Sequence, residues 1–374
     1  MTAPIRVLHL RDSPWIDGPG RTILETGSHL DPRRVEYYIG ALIPPGKGAH
    51  PLVDAARERG LNVIEFRDDG GFDDTLRDNI IATIDRHKIN VLHSSEFRTR
   101  VITQMCRLRR RVCMVTTAHG WIANSPKRKA IRLVDKSLLR LFDQVILVSD
   151  AMRKLVPRWW LSDARAQVLH NALVLRAYGR DVLHQPRRSV DPKSKVTLLN
   201  VGRLSPEKGQ DMLLRAVHRL LPRWPGLHVR IAGIGPLEQP LRELARSLQI
   251  EDRVEFIGYV ADMPPLYLES DLLVQSSYTE GLPNVILEAA FLKVPIVATA
   301  VGGTDEVVHH QQSAWLIRPD LDELTDGIEQ FLTRPDDFAN MANRAHEGVI
   351  ANFSFDVRTE RLMQLYESLV SRGA

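Results

Sequence analysis

Short apolar runs alternate with helix-patterned stretches along this chain, and the alternation occurs twice. Residues 5–10, 37–43, 62–66, 91–93, 112–118 and 144–149 read as strands, with helical spacing over 22–30, 52–59 and 76–87. Strands separated by helices return parallel through crossovers rather than as hairpins. Over 181–195 the pattern stops: Pro186 and Pro192 stand among charges and few apolar residues, a composition typical of linkers. It then restarts, with strands expected at 196–201, 228–232, 253–256, 272–275, 295–298 and 314–317 and a helix at 210–221. The last segment, 353–370, is amphipathic, with Val357, Leu362, Leu365, Tyr366 and Leu369 at approximate helical spacing. The expected architecture is α/β: two doubly wound parallel-sheet domains, 1–185 and 186–352, facing a central cleft, then a terminal helix over 353–374. Ligands of such sheets bind beyond the carboxyl ends of the strands.

A chain of 374 residues is long enough for two cores. Its net charge of +4 conceals an asymmetry, because residues 1–190 carry +12 and the remainder −8. A basic first half fits a polyanionic surface. Met1–Pro4 runs straight into the first strand, so no signal peptide is expected, and no apolar run is long enough to cross a bilayer. Cys106 and Cys113 make no disulfide framework and read as reduced, structural residues of a cytoplasmic protein.

Chemistry concentrates in the second half. Glu280-Gly281-Leu282-Pro283-Asn284-Val285-Ile286-Leu287-Glu288 sets two carboxylates eight residues apart, the first in a loop and the second inside a helix that Pro283 can open. Glu288 is flanked by Leu287, Ala289 and Ala290, which predicts a site with little water; a buried carboxylate needs a partner, and sugar and ribose hydroxyls are suitable ones. The plainer alternative is a capping Glu280 with Glu288 paired to a nearby Lys or Arg. Gly202-Arg203-Leu204-Ser205-Pro206-Glu207-Lys208-Gly209 follows a strand and precedes a helix, where backbone N–H groups and the helix dipole favour phosphate. Arg203 and Lys208 add two cations able to neutralise a diphosphate leaving group. A polar turn with solvated charges is the competing reading.

Four features of the first half are weaker. His119 follows a strand and should face the cleft, though a lone histidine is often structural. Gly18-Pro19-Gly20 joins the first strand to the first helix and permits close backbone approach to a ligand. Asp68, Asp69, Asp73 and Asp74 read as caps and solvated charge rather than a metal site. No His/Cys cluster has ligand spacing, so no metal is expected. Finally, 126–142 alternates Lys127, Arg128, Lys129, Arg132, Lys136 and Arg140 with Ile131, Leu133, Val134, Leu138, Leu139 and Leu141. Such a helix can lie on an anionic membrane or be an ordinary surface helix. Arg107 and Arg109–Arg111 add to its field, and Trp159-Trp160 are either interfacial anchors or core.

In order and spacing these motifs resemble those of family 4 glycosyltransferases, retaining enzymes of the GT-B fold with two Rossmann-like domains. The match is strongest over 196–318. Gly202–Gly209 resembles that family's phosphate loop, Phe256–Val260 its nucleobase loop, Glu280–Glu288 its E-x7-E signature, and the sequence from Pro295 through Gly303 continues in register. The resemblance implies that Arg203, Lys208 and Gly202 hold the donor diphosphate, and that Tyr259 and Val260 flank the base by backbone contacts. By the same likeness Glu288 accepts from ribose hydroxyls, while Glu280 contacts the donor sugar beside Gly281, Leu282, Pro283 and Asn284. His119 resembles the family's histidine near the transferred sugar, and Gly18 and Gly20 its N-terminal glycine loop. The final helix resembles one that crosses back onto the first domain. His170-Asn171-Ala172 departs from a frequent Asn-Gly pair, and Gly-Pro-Gly from a Gly-Gly pair.

The expected function is transfer of a hexose from a nucleotide sugar, UDP- or GDP-linked, to a hydroxyl of a glycan or lipid-linked acceptor. His119, Arg203, Lys208 and Glu280 are the expected catalytic residues. No cofactor, no metal and no nucleic-acid partner are expected; an anionic membrane at the inner face of the cell membrane is a candidate partner of 126–142. A nucleotide-sugar epimerase or phosphorylase of similar fold, or a non-catalytic sugar-nucleotide-binding protein, would carry the same motifs.

Overall fold

The computed structural model describes residues 3–46, 50–72, 74–107, 112–120, 126–174, 190–191 and 194–373. These divide into two compact units, residues 1–172 with 355–374, and residues 173–354. The first unit ends at Ala172, ahead of the boundary expected at 185, and most of the expected 181–195 linker lies outside the described residues.

The first unit contains a parallel sheet of β1 (Ile5–Arg11), β2 (Val35–Ile43), β3 (Asn62–Arg67), β4 (Val91–Ser94), β5 (Cys113–Ala118), β6 (Gln144–Leu147) and β7 (Ala166–Val168), ordered β3-β2-β1-β4-β5-β6-β7. Only β7 was not foreseen, because Ala-Gln-Val is too short for a period to show. The order reverses between β1 and β4, which makes the carboxyl ends of those strands a switch point. β1 is buried almost throughout, as a central parallel strand covered on both faces must be.

The helix expected at 22–30 begins earlier, at Gly18, and runs Gly18–His29. Asp17 is its N-cap and accepts from the Gly20 N–H at 2.9 Å. Gly18-Pro19-Gly20 is therefore the first helical turn rather than a loop, with Pro19 near the helix start where its missing N–H does no harm.

The terminal helix Phe355–Gly373 packs into this same unit. Leu362, Leu365, Tyr366 and Leu369 join Val7, Ile23, Ile39 and Val115 in one core. Burial of each leucine contributes roughly 1.5–3 kcal/mol. Val357, expected on the same apolar stripe, is 36% exposed. Arg34 clamps the helix by ion pairs to Glu360 (2.7 Å) and Glu367 (2.8 Å).

In the second unit the sheet runs β10-β9-β8-β11-β12-β13, made of β8 (Val196–Val201), β9 (Leu227–Ala232), β10 (Val254–Gly258), β11 (Leu272–Gln275), β12 (Ile296–Thr299) and β13 (Trp315–Ile317). All its pairs are parallel, and the switch point falls between β8 and β11. Helices Gln210–Leu220 and Leu321–Thr333 cover one face, burying Leu213, Val217, Ile328 and Phe331 completely.

Candidate functional site

The loops after β8 and β11 meet because their strands are neighbours. After β8 the chain makes a single 3₁₀ turn, Pro206–Lys208, then Gly209 and the helix Gln210–Leu220. Gly209 lies in the left-handed region (φ 62°), and a Cβ there would come within 2.2 Å of the Ser276 carbonyl oxygen. Only glycine lets the two loops approach so closely. Two hydrogen bonds join them: the Tyr278 N–H donates to the Glu207 carbonyl at 2.8 Å, and the Ser276 hydroxyl to the Lys208 carbonyl at 3.0 Å.

This closure places Lys208 Nζ 2.6 Å from Glu280 Oε1. The same oxygen accepts from Ser277 Oγ at 2.6 Å and from Gln275 Nε2 at 3.4 Å. Glu280 is therefore not a helix cap; it stands ahead of the helix and fixes the lysine. Lys208, which the competing reading of the loop would leave solvated, is ion-paired. Its ammonium still has three donors, so holding one carboxylate leaves capacity for a phosphate oxygen. Arg203 is exposed and its side chain makes no ion pair among the described residues. Its carbonyl accepts from Gln210 Nε2 at 3.1 Å, which ties the loop to the first residue of the following helix.

The helix Asn284–Phe291 starts directly after Pro283, its N-cap. Ile286 through Phe291 are all buried, and Glu288 is 4% exposed. Glu288 Oε2 accepts from the Tyr267 hydroxyl at 2.8 Å. Tyr267 is a partner the sequence did not suggest, since it belongs to the short helix Pro264–Leu268 on another crossover. Leu282 and Pro283 are buried, Gly281 is half-buried, and Asn284 Oδ1 is buried without a partner among the described residues. Gly302, at φ 60°, allows the loop after β12 to lie on the Glu280–Gly281 backbone, where a Cβ would meet the Glu280 carbonyl at 2.3 Å. The Gly303 N–H donates to the Gly281 carbonyl at 2.7 Å.

Gly202 closes β8 by donating to the Ala232 carbonyl at 2.9 Å, which places it beside the Lys208 stem. β10 ends at Gly258, whose carbonyl accepts from the Gly233 N–H at 2.8 Å, so Tyr259 projects beyond the strand at 69% exposure with Val260 half-buried behind it. The motifs at 202–209, 258–260, 280–288 and 302–303 thus all lie at the carboxyl end of one sheet.

In the first unit, His119 directly follows β5. Burial holds its pKa well below the ordinary value, assisted by Arg11, Arg358 and Arg100, so the ring is neutral at physiological pH. It lines a cavity of about 420 Å³ with Arg11, Glu96 and Asp17. Sequence reasoning missed Arg11 and Glu96, which are ion-paired although 85 residues apart. Asp68 is held by Arg98, and its Oδ1 accepts from the Gly70 N–H at 3.0 Å. Asp74 pairs with Arg77, and Asp73 lies outside the described residues.

Along the helix Pro126–Leu138, Leu133 and Val134 are 60% and 49% exposed, whereas Asp135 is buried against Arg100. The side chains of Lys127, Arg128 and Lys129 lie outside the described residues. Trp159 is exposed and meets Trp160 edge-on at 4.8 Å. Among the described residues no helix is long and apolar enough to cross a membrane.

Both halves of the chain resemble known proteins. Residues 16–176 match the family model described as Glycosyltransferase Family 4, and 183–348 match that of Glycosyl transferases group 1. An uncharacterized glycosyltransferase of Haemophilus influenzae is 32% identical over 162 residues, 43% of this chain and 46% of that protein. A D-inositol 3-phosphate glycosyltransferase of Rhodococcus erythropolis is 28% identical over 299 residues, 74% of this chain and 67% of that one. The chain thus spans about half the length of the first of these relatives. Among solved structures, Anabaena HepE in complex with UDP and glucose superposes with a TM-score of 0.82 at 21% identity, covering 97% of this chain and 100% of that one. Sucrose-phosphate synthase of Thermosynechococcus elongatus gives 0.80 at 18% identity, covering 98% and 100%. At such identities the likeness is one of fold, and that fold is GT-B. With both halves matched by glycosyltransferase models, the chain belongs to the family 4 type of glycosyltransferases.

Proposed function

We propose that this protein transfers a hexose from a nucleoside-diphosphate sugar to a hydroxyl of a glycan or lipid-linked acceptor, with retention of anomeric configuration. The observation that carries this reading is the Lys208–Glu280 pair, held at 2.6 Å at the carboxyl ends of β8 and β11. A cation fixed there beside the amino end of Gln210–Leu220 suits a diphosphate. A carboxylate oriented by Lys208, Ser277 and Gln275 suits the hydroxyls of the sugar attached to it. Glu288, with Tyr267 behind it, suits the ribose. A UDP- or GDP-linked donor is favoured, and the HepE structure holding UDP and glucose supports the first.

In the reaction, the bond between the anomeric carbon and the diphosphate oxygen breaks while a bond to the acceptor oxygen forms on the same face. The acceptor's proton passes to the departing phosphate. Arg203, Lys208 and helix N–H groups stabilise the charge that develops on the leaving group, the kind of preorganised electrostatics worth several kcal/mol. Neutral His119 exchanges hydrogen bonds with hydroxyls and adds no charge. No metal is needed in this scheme, because the two cations face the diphosphate directly; excess EDTA should leave turnover unchanged. Exposed Leu133, Val134 and Trp159 beside basic residues support a peripheral site on an anionic membrane at the cytoplasmic face.

The test is a donor screen with the full chain: UDP-, GDP- and ADP-sugars, measuring nucleoside diphosphate release with and without a lipid-phosphate glycan extract. Release from one donor, raised by the extract, is expected. Binding without release across all donors and acceptors would favour a non-catalytic role, and conversion of the sugar without acceptor would favour an epimerase.

A further inference from the structure

The cavity of about 420 Å³ in the first unit opens where β1, β4 and β5 end. Its charged lining balances: Arg11, Arg100 and Arg132 against Asp17, Glu96 and Asp135, with His119 neutral. Two of the arginines are already committed. Asp135 grips Arg100 at 2.6 and 2.8 Å, and both side chains are buried. Arg11 is 1% exposed and pairs with Glu96 and with Asp17, the latter at 2.6 Å. Its Nε is buried with no hydrogen-bond partner among the described residues. The carboxylates are the accessible ends, Glu96 at 25% and Asp17 at 51% side-chain exposure.

A cavity whose charged lining sums to zero, with Pro19, Phe97 and Ile131 between the charges, offers an anion no net attraction. At Arg11 and Arg100 a phosphate or carboxylate would have to draw the guanidinium away from its acid, and a buried charge left without its partner is strongly destabilising. A hydroxyl requires no such exchange. Each carboxylate offers about four acceptor sites, only some taken by arginine. We propose that this cavity receives the acceptor as an uncharged polyol ring, a sugar or cyclitol bearing no phosphate or carboxylate. Its hydroxyls donate to Glu96 and Asp17, whose carboxylates are accessible. Any anionic group of the acceptor stays outside the cavity. This specificity rests on the glycosyltransferase reading and narrows it.

Once the donor screen has identified a donor, the full chain is offered myo-inositol, methyl glucoside and N-acetylglucosamine, each with its phosphate monoester. Acceptor and donor KM are read separately. The uncharged rings should exceed their esters by about tenfold or more in kcat/KM, and Glu96→Gln should raise the acceptor KM by about tenfold while the donor KM moves less than twofold. Asp17→Asn, at the exposed rim, should act in the same direction more weakly and serves if Glu96→Gln does not fold. An ester preferred over its parent ring, or an acceptor KM unmoved in both variants, overturns the proposal. Release of nucleoside diphosphate from no donor at all would instead overturn the transferase reading.

Discussion

The pairs that matter most in this protein join residues distant in sequence. Lys208 and Glu280 stand 72 positions apart and Tyr267 and Glu288 21. The E-x7-E spacing was legible because one loop and one helix start contain it. Its partners were not, because only the β8–β11 pairing and the packing of Pro264–Leu268 bring them near. Removing Lys208 leaves Glu280, 10% exposed at its side chain, without its cation. Lys208→Ala should therefore lower turnover by about a hundredfold or more. Combined with Glu280→Gln it should lose much less than the product of the two single effects, since the residues act as a unit. Steady-state kinetics of the four-member cycle decides this, and strict multiplicativity would separate the two roles. Glu288→Gln keeps the shape and removes the charge. It should raise the donor KM about tenfold while leaving kcat within a few fold, as expected for a ground-state contact to ribose; a fall in kcat alone would contradict that assignment.

At the scale of elements, strand positions were legible from apolar runs, and helix ends were less so. Gly18-Pro19-Gly20 looked like a loop because glycine and proline usually break helices; Asp17 capping the Gly20 N–H turns the same residues into a helix start. What joins the terminal helix to the sheet was invisible in sequence. His9 of β1 and His93 of β4 stack at 4.0 Å, and each is gripped at both ring nitrogens: His9 by Tyr37 and Ser95, His93 by Tyr366 and Thr117. Burial lowers both pKa values, that of His93 to about 3. In the folded protein the rings are neutral, whereas in the unfolded chain they protonate near 6.5. Their contribution to stability is complete above pH 6.5 and is lost as pH falls below it toward the folded values, by about 1.4 kcal/mol per pH unit for each ring. Urea melts should show a lower midpoint at pH 5 than at pH 7.5, with the difference reduced in His93→Gln. Equal midpoints in the wild-type chain would refute the linkage.

Across the whole molecule, charge is divided as sharply as fold, +12 over residues 1–190 and −8 over the rest. The basic portion also carries exposed Leu133, Val134, Leu155 and Trp159. The full chain should sediment with vesicles containing phosphatidylserine at low salt and dissociate as the salt screens the contact. Trp159→Ala with Leu133→Ala should weaken binding several-fold, and absence of sedimentation at low salt would remove the membrane from the picture. The terminal helix has a further consequence, one of timing. Its leucines and Tyr366 belong to the core of the first unit, yet 173–354 are synthesised before they emerge. At ordinary translation rates of 5–20 residues per second, the amino-terminal unit waits about ten to forty seconds with its core open while the later unit, contiguous in sequence, completes itself on the ribosome. The half made first is finished last, and during that interval it is the half most in need of a chaperone.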